Sequence, residues 1–167
     1  MPEKETLERA HEDAREGKSP STQAGEFVRE EMHHIREGRH GADSPQQAIA
    51  IGLSKARRAG VKLPPSGRAS ARTRKQAQRD LRRGRSARRR KPSARRSRAT
   101  SRALRRKGRS AASRSSLSQQ AHRAARRRTS TSRHRAALKA VRTKGKTGLR
   151  QAARKAARTR TTHRRAA

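Results

Sequence analysis

Large apolar side chains crowd into the first 63 residues and recur there at helical spacing. Glu3–Glu16 carries Leu7, Ala10 and Ala14 on one face, with Gly17 as its stop. Pro20 and Ser21 then break the chain and offer a cap. Thr22–Glu37 is the strongest amphipathic stretch: Phe27, Val28, Met32 and Ile35 form a stripe, while Glu26, Arg29, Glu30 and Arg36 lie outside it, and Gly38 ends it. Pro45–Ala59 opens on a Ser44 cap, with Pro45 at the first helical position and Gln47 completing an S-x-x-Q capping box. Its stripe is Ile49, Leu53 and Ala56, and Gly60 is the C-terminal stop. The pattern predicts three short helices closing on Leu7, Phe27, Val28, Met32, Ile35, Ile49, Ile51 and Leu53, with Val61 and Leu63 at the edge. A core of this size is thin for a domain near 60 residues. A homodimer through the second and third helices would add to it.

Beyond residue 63 the pattern changes. Leu81, Leu104, Leu117, Leu138, Val141 and Leu149 are scattered and build no continuous stripe. The border is Val61-Lys62-Leu63-Pro64-Pro65-Ser66-Gly67, where two prolines exclude a helix. The expected organisation is a helical head over 1–60, a linker over 61–67 and a tail over 68–167. The fold class expected is mostly α, a small N-terminal helical unit followed by a largely disordered Arg-rich tail. A chain so polar buries too little apolar surface to offset ordering. Helices inducible on binding are expected at Gln119–Arg128, Arg133–Lys144 and Leu149–Arg158, with Gly145 as a stop.

Charge gives the tail its meaning. The chain holds 49 Lys+Arg and 12 Asp+Glu, a formal net charge of +37. Residues 1–67 hold 11 acids and 11 bases, so the head is neutral. Residues 68–167 hold 38 bases, 31 of them Arg, and the single acid Asp80. Phosphate is the matching partner, because neutralising duplex phosphates releases condensed counterions and guanidinium forks bind phosphate bidentately. Tyr and Trp are absent and the only Phe is Phe27, so base stacking on aromatics is not available to the tail. Duplex DNA is therefore the favoured partner, with RNA as the alternative. The candidate nucleic-acid contacts are Arg68, Arg72, Arg74, Lys75, Arg82, Arg83, Arg88, Arg89, Arg90, Lys91, Arg95, Arg96, Arg105, Arg106, Lys107, Arg126, Arg127, Arg128, Arg154, Lys155 and Arg158. The expected function is sequence-nonspecific DNA binding of a nucleoid-associated, histone-like kind. The alternatives are an RNA- or ribosome-associated protein, and an interaction protein whose head carries the function.

Ser21–Pro65 resembles a group of short bacterial basic proteins of unknown function. The telling runs are Ser21-Thr22-Gln23-Ala24-Gly25-Glu26-Phe27-Val28 and the stretch from Gln47 to Gly60. The resemblance implies a helical N-terminal segment with an Arg/Ala-rich tail and a bacterial source. It carries no activity and no functional residues.

Other chemistries find little footing. No cysteine is present, no Ser sits in a G-x-S-x-G elbow, and no glycine-rich phosphate loop occurs. No enzyme, cofactor or metal is expected. The nearest metal set, Glu30, His34 and Glu37 with His33 or His40, lacks an H-E-x-x-H pattern. Ala48-Ile49-Ala50-Ile51-Gly52-Leu53-Ser54 echoes a helix-turn-helix turn, but the helix after it would be too short to lie along a groove, so one continuous helix is expected. No apolar run is long enough to cross a bilayer, no secretory signal is seen, and the tail lacks the bulky apolar face of membrane-surface helices. A cytoplasmic, nucleoid-associated protein with no membrane partner is expected.

Overall fold

The computed structural model describes residues 2–67, 69–86 and 93–165. Every regular element among them is helical: α1 (Lys4–Arg15), α2 (Pro20–Arg36), α3 (Pro45–Ala59), α4 (Ala71–Arg85), α5 (Ala94–Arg105), a 3-10 turn (Ser110–Ala112), α6 (Arg114–Arg126) and α7 (Ser130–Arg165). They fall into two compact units, 1–121 and 122–167, with the boundary inside α6. No helix among the described residues is long and apolar enough to cross a membrane.

The first three helices each end just before a glycine of positive φ, Gly17, Gly38 and Gly60, but only α3 starts on a side-chain cap. α2 begins at Pro20, ahead of the expected Ser21 cap, and neither Glu3 nor Ser19 makes a side-chain cap bond. Ser44 Oγ accepts from the Gln47 amide at 3.2 Å, and Gln47 Oε1 accepts from the Asp43 amide at 2.6 Å. The return arm of the expected capping box thus reaches one residue further out. Gly60 ends α3 with φ +110°, a left-handed conformation that a side chain would strain. α3 is unbroken across Gly52, as one continuous helix requires.

α2 packs most extensively on α3, with α1 on α2 and α4 on α3. One apolar cluster joins Ala10 and Ala24 to Phe27, Ala56 and Val61, with Leu7, Leu53 and Leu63 against it. A second joins Met32, Ile35, Ala42 and Ala48 to Ala111 and Ala112, with Val28, Ile49 and Leu117 alongside. The expected core side chains all lie in these clusters except Ile51, which is only partly buried and belongs to neither.

The disordered tail is overturned. Residues 71–85, 94–105, 114–126 and 130–165 are helical, the last run interrupted at Gly145, whose φ of +62° and ψ of 178° break α7. Two causes outweigh the repulsion that argued for coil. Arg and Ala are strong helix formers, and Ser70, Ser113 and Thr129 each accept a hydrogen bond from the amide three residues on, at 3.2 Å. Burial supplies the rest within the first unit. Ala77 on α4 and Ala111 and Ala112 in the turn are at most 3% exposed. The Gly41 amide donates to Leu104 O at 2.9 Å, the Ala42 amide to Gly108 O at 3.2 Å, and Arg36 Nε to Ala112 O at 3.0 Å. The chain after the two prolines folds back and closes the core of the head. In the second unit α7 leaves Leu138 and Val141 about half exposed.

The α2–α3 crossing depends on Gly52. A Cβ there would stand 2.7 Å from Val28 Cα and 3.0 Å from Phe27 O, and backbone atoms cannot move aside. Gly52→Val should destabilise the chain by about 1–3 kcal/mol through overpacking. Urea denaturation followed by circular dichroism measures this, and an unchanged midpoint would mean that the helices do not approach as described.

Candidate nucleic-acid interface

The described members of the expected contact set are all exposed. Arg68, Arg88, Arg89, Arg90 and Lys91 lie outside the described residues. Arg72, Arg74, Lys75, Arg82 and Arg83 fall on α4; Arg95, Arg96 and Arg105 on α5; Arg106 and Lys107 just after it; Arg126 near the end of α6, followed by Arg127 and Arg128; and Arg154, Lys155 and Arg158 on α7.

Helical spacing sorts these cations in a way that the sequence did not. On α4, Ala77 and Asp80 are buried and Leu81 and Gly84 partly so, which defines the face toward α3. At about 100° per residue, Arg72, Lys75, Arg79, Arg82 and Arg83 occupy the opposite face. They form a stripe roughly 16 Å long at about 1.5 Å per residue. Arg74 lies nearer the flank and donates to Ala69 O at 2.9 Å. On α5, Arg95, Arg98, Arg102 and Arg105 share one face at spacings of three and four, with the half-buried Leu104 turned well away from it. Arg79, Arg98 and Arg102 escaped the sequence reading, which favoured runs of adjacent cations. The signal was there in the i, i+3 and i, i+4 spacing, had a helix been assumed.

Lys107 has a different job. Its Nζ pairs with Asp43 Oδ1 at 2.7 Å, so it ties the returning chain to the loop before α3. The only acid of the basic segment is also spent inside. Asp80 is almost wholly buried, and its Oδ2 accepts from Ser54 Oγ at 2.7 Å and Gln76 Nε2 at 3.2 Å, with Arg58 Nε 3.8 Å from Oδ1. Beside it, burial pushes the Arg57 guanidinium below its ordinary value, against the opposing charge of Asp80. Gly84 completes the seam, since a Cβ there would collide with the Arg57 carbonyl. Asp80 therefore pins α4 to α3 and leaves the outward stripe free of acids.

The head contains a second polar assembly, inside rather than outside. Glu30 and Glu31 of α2 are both buried. Lys55 of α3 donates to Glu30 Oε1 at 3.1 Å and stands 2.7 Å from Glu31 Oε2. Burial works to raise the Glu30 carboxyl, but hydrogen bonds from the Glu3 amide, the Thr6 hydroxyl and Lys55 outweigh it and hold Glu30 below the usual carboxylate range. Hydrogen bonds from His34 and Arg39 likewise lower Glu3. Of the metal candidates read from sequence, His33 and Glu37 are exposed, and Glu37 pairs with Arg39 at 2.9 Å. His34 keeps Glu30 4.0 Å from its Nδ1, and His34 and His40 both also meet Glu31, a residue outside that set.

The fold and these faces define an all-α protein with a neutral helical head and basic outer helices. Residues 18–67 match a family of unknown function (DUF6496). The matched span holds α2, α3 and the two prolines and stops short of α4, so it does not include the basic helices. No curated protein and no solved structure matches the chain.

Asp80→Ala should cost about 1–3 kcal/mol by removing the partner of Ser54 and Gln76 in a buried seam. Hydrogen exchange should rise through Ala71–Arg85 more than through α1 and α2. Uniform protection across all four helices would show that Asp80 is not the pin.

Proposed function

We propose that this protein binds duplex DNA without sequence preference, through phosphate contacts made by its basic helices, in the manner of a nucleoid-associated architectural protein. It works in the cytoplasm and has no catalytic role. The observation that carries the reading is the outer face of α4: Arg72, Lys75, Arg79, Arg82 and Arg83 are exposed and aligned along one helix, while the one acid of that helix is buried.

Duplex DNA presents one negative charge per about 1.7 Å of axis, so a stripe of this length finds phosphates along all of it. A helix with side chains is about 10–12 Å wide and the major groove about 12 Å, so a basic rod can also lie between the two backbones. Arginine suits the task, because its planar fork bonds two phosphate oxygens at once. Base stacking has little to work with. Phe27 is fully buried, and the chain has no Tyr or Trp.

The helical fold dictates how the idea is tested. Removing residues 68–167 would take Ala111 and Ala112 out of the head core, so loss of binding would be ambiguous. Replacing Arg72, Lys75, Arg79, Arg82 and Arg83 by Gln keeps helix propensity and the buried face. This variant should bind duplex DNA more weakly, and the slope of log K against log salt should fall in magnitude by up to about 4.5. Unrelated duplexes should bind alike. A chain neutralised on α4 and lacking residues 122–167 that still bound with wild-type affinity would defeat the reading, as would strong preference for one sequence.

A further inference from the structure

We propose that Glu31, His34 and His40 form a binding site for a divalent transition-metal ion of the Zn2+ class, enclosed between α2 and the loop that precedes α3. One ligand atom from each of the three residues lies within 4.8 Å of the others. Two imidazoles and one carboxylate are the donor set that such ions take.

The orientation of each donor supports the site. His34 Nε2 is held 3.0 Å from Glu3 Oε1, and Arg39 Nη1 lies 3.0 Å from the same nitrogen while donating to that Glu3 oxygen at 2.6 Å. With the ring proton on Nε2 donating to Glu3, the lone pair of His34 is on Nδ1, which stands 4.0 Å from Glu30 Oε1. His40 Nδ1 lies 3.3 Å from Gly41 O, which places its proton there and leaves Nε2 bare. Metal-binding imidazoles are aimed in this way, by a carboxylate or a carbonyl on the other nitrogen. His40 Nε2 stands 3.3 Å from Glu31 Oε1, close to the edge of a tetrahedron with bonds of about 2.0–2.1 Å. Glu31 Oε2 faces Lys55, so Oε1 is the oxygen left to bind.

The second observation is Glu31 itself. Its side chain is fully buried, and neither oxygen accepts a hydrogen bond among the described residues. Lys55 is close but poorly angled, and its single charge is shared with the neighbouring buried carboxylate of Glu30. Two buried carboxylates against one ammonium leave a negative charge without a permanent counterion, and such a charge is costly. A divalent ion on Oε1 would satisfy it. Three protein donors leave the fourth position to water.

The full chain, stripped with chelator and dialysed, should take up one equivalent of Co2+ and show the intense visible band of a four-coordinate site. Zn2+ should bleach that band. His40→Gln and Glu31→Gln should each weaken Zn2+ binding by at least tenfold, whereas His33→Gln, on the exposed side of α2, should not. Absence of the Co2+ band from the wild-type chain overturns the proposal without recourse to any variant. So does Zn2+ uptake that survives both His40→Gln and Glu31→Gln, since the ion would then sit on exposed groups. Far-ultraviolet circular dichroism of each variant separates loss of ligand from loss of fold.

Discussion

Small residues at the helix contacts set the terms for this fold. Of the twelve buried hydrophobic residues among those described, eight are alanines. Alanine contributes little apolar area, so each contact must be made close to be worth making. That is why glycines stand where backbones nearly touch: Gly52 against Val28, Gly84 against the end of α3, and Gly41 against the Lys107 carbonyl. It is also why the head cannot be complete without the chain beyond its linker. Three short helices with one aromatic ring between them leave the ends of α2 and α3 open, and Ala111 and Ala112 close them.

A thin core also explains why charge is placed with such economy. The basic helices of the first unit can lie against a neutral head only if the seam itself is not cationic. Asp80 answers this on α4, meeting the Ser54 hydroxyl with the Arg58 charge at its edge. Asp43 does the same for Lys107. With the seams neutralised, helix geometry turns the remaining arginines outward, where water and counterions reduce their mutual repulsion. The same geometry that relieves repulsion also aligns the stripe.

Legibility in the sequence followed the size of the side chains. α1, α2 and α3 were readable to within two residues because Ser44, Gly17, Gly38 and Gly60 punctuate stripes of Leu, Ile, Met and Phe. α4 and α5 were not, since the inward face of α4 is Ala77, Asp80, Leu81 and Gly84, and no hydropathy pattern marks such a face. The average charge of the segment suggested coil, but an average carries no spacing, and spacing decides whether like charges on a helix oppose one another. Gly145 was legible as a break; the run of helix on either side of it was longer than expected. For the interface, adjacency misled: Arg95-Arg96 and Arg105-Arg106 look dense in sequence, yet neighbours point a quarter-turn or more apart, and Arg98 and Arg102 complete the face. For the polar cluster, Glu31 was hidden by its neighbour Glu30, which has the commoner i, i+4 relation to His34. His40 sits in a loop, where periodicity has nothing to say.

The two polar assemblies differ in kind, and the difference is set by burial. The α4 stripe is exposed, so its attraction for an anion is screened over roughly 10 Å at 0.1 M salt. Glu31 and Lys55 are enclosed, and salt reaches them little. A ligand of the proposed interface would have to be extended and anionic, since each cation alone is weak and only repetition gives affinity. A ligand of the cluster must be small and cationic, since the space is closed and the excess charge negative. The segment that matches a family holds the enclosed cluster and ends before the basic helices, so the buried carboxylates and histidines lie in the matched part and the exposed basic stripe lies outside it. Coupling between the two would have to pass through α3, which carries Lys55 toward the cluster and, one residue earlier, Ser54 toward Asp80. Those adjacent side chains point to different helices, so a shift of α3 that loosened one contact would be felt at the other.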